Sequence, residues 1–81
     1  MNNWSVYIVQ CKDGTYYTGI TTDIDARIKV HNSGLGAKYT RGRGPVKLVW
    51  SEGLLTRGEA LRRECEIKKM SRAEKQQLIK N

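Results

Sequence analysis

The stretch Val6–Ile20, VYIVQCKDGTYYTGI, decides the fold. Two runs of β-branched and aromatic residues flank Lys12-Asp13-Gly14, and Asp-Gly between such runs is a strong hairpin signal. Residues 4–11 read as one strand and 15–20 as its antiparallel partner. Valine and isoleucine would suffice to pack such a hairpin. Yet Tyr7 and Tyr17, two of the four tyrosines in the chain, stand on opposite arms of it.

The length of the turn decides where the two phenols go, because side chains alternate across a strand and a one-residue slip reverses every face. With a two-residue loop, Asp13-Gly14, Tyr7 pairs with Ile20 and Tyr17 with Gln10, and the tyrosines occupy opposite faces. With a three-residue loop, Lys12-Asp13-Gly14, Tyr7 pairs with Gly19 and Tyr17 with Val9, and both emerge on one face. The second arrangement needs Gly14 in the left-handed region as a bulge, which a residue lacking a Cβ adopts readily. It also sets the bare backbone of Gly19 beside Tyr7, as the floor of a cleft. Aromatics in strands are mostly core or cross-strand pairs, and Tyr16 fits that plainer reading.

Working outward, residues 23–32, DIDARIKVHN, admit two readings. Alternating Ile24, Ala26, Ile28 and Val30 fit a half-buried strand. Capped by Thr22 or Asp23, the same residues form a helix with Ile24, Arg27, Ile28 and His31 on one side. A Gly/Asn-rich loop spans 32–45, and 46–52 reads as a third strand. Thr56 with Glu59 forms a capping box for a helix to about Met70, and Ser71 with Glu74 a second for a short helix to Ile79. The reading is a small α/β (α+β) domain covering 1–81. Its three-stranded, antiparallel-containing sheet is flanked by helices in the order β-β-α-β-α-α.

The chain has 81 residues and a formal net charge of +7. A chain this short buries only about 60–65% of its unfolded surface, enough for one small core. Residues 1–40 net +1 and residues 41–81 net +6. So skewed a basic surface attracts polyanions, of which nucleic acid is the usual one. No apolar run approaches the ~20 residues of a membrane span, and no secretory signal pattern opens the chain. A cytoplasmic location with both Cys11 and Cys65 reduced is expected, each as a small core residue.

Ser5-Val6-Tyr7, Tyr17-Thr18-Gly19, Arg27, His31 and Glu64 together resemble the GIY-YIG nuclease superfamily, over nearly the whole chain. SVY stands for GIY and YTG for YIG, keeping both tyrosines and the second glycine. The stand-alone, single-domain bacterial members look most similar. The resemblance implies that 23–32 is a helix, and that Tyr7, Tyr17, Arg27, His31 and Glu64 are catalytic. Glu64 would be the one protein ligand of a single Mg²⁺ or Mn²⁺ ion, a cation that keeps waters and takes phosphate oxygens. Arg27 would hold the scissile phosphate, the tyrosines would orient or deprotonate water, and His31 would relay a proton or touch phosphate.

Glu64 lies on a partly apolar stripe, four after Ala60 and three before Ile67. A carboxylate there needs an ion pair, a metal or an open cleft edge. Read from the residues alone it forms a salt bridge with a nearby cation. In the loop, Lys38, Arg41 and Arg43 would supply charge to a nucleic-acid backbone, and Tyr39 could stack on a base. The expected function is a metal-dependent endonuclease on DNA or RNA, with a homodimer or a partner protein supplying targeting. The alternatives are a nucleic-acid-binding module that kept the fold without efficient catalysis, and a protein-interaction domain.

Overall fold

The computed structural model describes residues 3–33, 44–54 and 56–80. Its elements are β1 (Trp4–Gln10), β2 (Tyr16–Thr21), α1 (Ile24–Asn32), β3 (Lys47–Leu54), α2 (Arg57–Lys68) and α3 (Arg72–Lys80). They follow the expected β-β-α-β-α-α order. The strands form one antiparallel sheet in the order β2-β1-β3. β1 is the central strand, and its run Val6-Tyr7-Ile8-Val9 is buried on both faces. That explains why the run is apolar throughout rather than alternating.

The β1–β2 register pairs Tyr7 with Gly19 and Val9 with Tyr17. This is the three-residue turn. The Gly14 N–H donates to the Cys11 carbonyl at 2.9 Å and the Cys11 N–H to the Thr15 carbonyl at 2.8 Å. Gly14 has φ +88°, the left-handed conformation that the register demands. The Asp13 carboxylate accepts from the Thr15 N–H and hydroxyl, closing the turn from the side. Arg72 of α3 donates to the Gly14 carbonyl at 2.9 Å and lies over the Tyr16 ring, tying the turn to the end of the chain.

Each face of the sheet carries its own apolar cluster. On one, Tyr7, Val9, Cys11 and Val46 meet Tyr17, Ile24 and Ile28, so α1 covers this side. On the other, Val6, Ile8 and Ile67 meet Tyr16, Ile20, Val49, Trp50, Leu54, Met70, Leu78 and Ile79, so α2 and α3 cover that one. Both expected capping boxes are formed. Thr56 accepts from the Glu59 N–H while Glu59 accepts from the Thr56 N–H, and Ser71 and Glu74 do the same.

One expectation is corrected. Cys11 is buried, but Cys65 is exposed, because the inward stripe of α2 runs through Ala60 and Ile67 and leaves position 65 outside it. No helix among the described residues is long and apolar enough to cross a membrane.

Candidate active site

The site grows from the paired tyrosines. Tyr7 and Tyr17 project from neighbouring strands on the α1 face. Between them Gly19 leaves the space they need. A Cβ built there would lie 2.6 Å from Tyr7 Oη, 2.8 Å from Tyr7 Cζ and 3.1 Å from Tyr17 Cε2. Glycine is required here by close approach, since both phenols lean over its backbone.

α1 brings the next two groups. Asp23 caps it, its carboxylate accepting from the Ala26 N–H, and Ile24 and Ile28 seat it on the sheet. On a helix so seated, residues three and four apart share a side, and His31 comes down onto the tyrosines. It is only 1% exposed, and its Nε2 lies 2.9 Å from Tyr7 Oη. Its ring meets those of Tyr7 and Tyr17 edge-to-face, with centroids 6.0 and 5.4 Å away. Burial first, then the Arg27 charge, lowers the His31 pKa, so the imidazole is neutral near pH 7.

Arg27, one turn before His31, is half-buried. Its guanidinium is close enough to the Tyr7 phenol to favour the phenolate. Burial is nevertheless the largest influence on Tyr7 and holds its pKa above 10.0, with the neighbouring Tyr17 and the more remote Glu64 charge pushing the same way. At rest the pair is therefore a neutral phenol against a neutral imidazole.

Glu64 arrives on α2, which packs against β1 and β2. Its side chain is 19% exposed and pairs with Lys68 one turn on, Oε2 to Nζ 3.4 Å. The salt bridge that the residues alone suggested is thus present, and the same carboxylate is close enough to act on Tyr7. Arg63 is committed elsewhere, to Glu52 at 2.9 Å and Glu66 at 3.2 Å. Among the described residues no three His, Cys, Asp or Glu side chains cluster as a metal cage. A half-covered carboxylate by itself suits an oxygen-seeking ion that keeps most of its waters.

Of the five groups named from the sequence, Tyr7, Tyr17 and His31 are in direct contact, while Arg27 and, most weakly, Glu64 act on Tyr7 through their charge. Lys38, Tyr39, Arg41 and Arg43 lie outside the described residues. Sequence reasoning missed Asn32. Its side chain accepts from the Val46 N–H at 2.6 Å and donates to the Val46 carbonyl at 3.3 Å, closing the connection from α1 to β3 behind His31. The available signal was an asparagine at a helix end before a glycine-rich loop.

This arrangement, three strands with a tyrosine on each arm of the hairpin and an arginine helix across them, belongs to a nuclease fold. The chain is a member of the GIY-YIG family, whose catalytic-domain model matches residues 3–77. Among its relatives are the UPF0213 protein BH0048 of Halalkalibacterium halodurans, 57% identical over 98% of this chain and 83% of that protein. Another is the UPF0213 protein VNG_2274C of Halobacterium salinarum, 56% identical over 91% of this chain and 96% of that one. The solution structure of the Bacillus halodurans BH0048 protein superposes with a TM-score of 0.63, at 56% identity over 96% of this chain and 83% of that one. That of EF2693 from E. faecalis gives 0.67, at 40% identity over 99% and 85%.

Proposed function

We propose that this protein is an endonuclease that hydrolyses phosphodiester bonds of DNA or RNA with the help of one divalent cation. The observation that supports the reading is the contact of Tyr7 and Tyr17 with His31. Tyr7 Oη is hydrogen-bonded to His31, and it feels both the Arg27 guanidinium and the Glu64 carboxylate.

Tyr7 acts as the base. Neutral His31 accepts the phenolic proton at Nε2, and Tyr7 takes one from the attacking water. Arg27 grips the phosphoryl oxygens with forked, permanently charged donors, and its charge favours the phenolate as it forms. Tyr17, stacked edge-on to the same imidazole and partly exposed, orients the water. Glu64 would hold Mg²⁺ or Mn²⁺, which supplies neutralising charge for the phosphate and the leaving oxygen. The basic half of the chain, including Lys38, Arg41 and Arg43, draws in the backbone, with Tyr39 as a stacking surface. The cytoplasm suits a protein with two unpaired thiols.

The test is nicking of supercoiled plasmid and of structured RNA, with and without Mg²⁺ or Mn²⁺. Wild type should nick only with the cation, and Glu64→Gln and Arg27→Ala should lose at least about a hundredfold in rate while remaining folded. A wild-type protein that binds either polymer yet never cuts would assign the chain to the binding-module alternative instead.

A further inference from the structure

We propose that Lys68 is the counter-ion that a divalent cation must displace from Glu64, so that this lysine sets how tightly the site takes its metal. The inference rests on the reading of Glu64 as the cation ligand.

Lys68 follows Glu64 by four residues on α2, and the glutamate-before-lysine order is the favourable one for such a pair. Nζ stands 3.4 Å from Oε2. An ammonium at that distance holds one oxygen of the carboxylate, and a divalent ion cannot share that oxygen with it without strong repulsion. The two partners differ in their freedom to move. The Glu64 side chain is 19% exposed, whereas that of Lys68 is 54% exposed.

Lys68 takes part in neither apolar cluster. It can swing into solvent, and the carboxylate stays where it acts on Tyr7. A lysine suits this role better than an arginine, because it holds a carboxylate as a mobile point charge and not as a locked fork. Arg63, beside Glu64 in the chain, is tied to Glu52 and Glu66 and does not substitute for it. Without metal, the ammonium balances the carboxylate charge.

The test is calorimetric titration of the full chain with Mn²⁺ alone, no nucleic acid being present, for wild type, Lys68→Met, Lys68→Arg and Glu64→Gln. Circular dichroism confirms folding of each. Lys68→Met should bind Mn²⁺ about two- to five-fold more tightly, the range expected for releasing a partly exposed ion pair. Lys68→Arg should stay at or below wild-type affinity, and Glu64→Gln should lose binding. A purely structural salt bridge would leave Mn²⁺ affinity unchanged or weakened in Lys68→Met. That outcome, with Glu64→Gln inactive in binding, overturns the role of Lys68 alone. Unchanged affinity in Glu64→Gln overturns the assignment of Glu64 as ligand, and the role of Lys68 with it.

Discussion

A methyl group at Gly19 would have to displace the Tyr7 hydroxyl from 2.6 Å away, and that hydroxyl is held by His31. Gly19→Ala should therefore cost about 1–3 kcal/mol by overpacking and damage the site more than the fold. Thermal melting and nicking rates on the same variant would separate the two effects. His31 offers a pH test. It stays neutral in the fold, while the unfolded chain protonates it near pH ~6.5. Below that value the unfolded state binds a proton the folded state refuses, so stability is intact above it and falls as the pH drops through it. Calorimetry between about pH 7.5 and 5.5 should show a falling Tm in wild type and a flatter line in His31→Gln. At this scale the sequence made the shared face of Tyr7 and Tyr17 legible only conditionally, through turn length. The inward position of His31 was legible only through the helical reading, which set it on the side of Ile24 and Ile28; that it lands on the two tyrosines was not, because the contact joins residues far apart in the chain.

The elements differ in how openly they were written. The hairpin and both capping boxes were readable from side chains that satisfy backbone groups within three residues. Loss of the cap in Thr56→Ala should lower stability by about 0.5–2 kcal/mol, measurable by urea unfolding, with little change in the register of the sheet. Residues 23–32 were ambiguous for a physical reason. Ile24, Ala26, Ile28 and Val30 alternate, but in the folded chain Ala26 and Val30 point to solvent and only Ile24 and Ile28 pack. The helix is held by its Asp23 cap and by contacts to β1 and β2 that no local pattern reveals. Asn32 belongs here as well. Asn32→Ala removes two hydrogen bonds to Val46 and leaves its N–H without that partner, so about 1–3 kcal/mol should be lost. The same denaturant titration checks it.

For the molecule as a whole, charge is the readable quantity and convergence is the hidden one. The net charge of +7 predicts polyanion binding whose affinity falls steeply with salt. Fluorescence anisotropy with a labelled duplex, titrated in Ca²⁺ to limit cleavage, should give a linear plot of log K against log salt. Removing a phosphate contact in Arg27→Ala should make its slope shallower by about one. The acids and cations of α2 could be named from their spacing, yet which of them acts on Tyr7 depends on how α2 lies across β1 and β2. That is a long-range outcome, and the family resemblance, not the spacing, singled out Glu64.

The bulged turn at Gly14 also makes the hairpin vulnerable in an unusual way. Excising one codon from Lys12–Gly14 would leave both strands with every residue they have now. It would nevertheless rotate β2 by half a turn relative to β1, sending Tyr17 among the residues beneath α2 and exposing its apolar neighbours. A single in-frame deletion at this surface tip should thus be as harmful as losing a buried tyrosine outright, whereas exchanges of Lys12 should pass almost unnoticed.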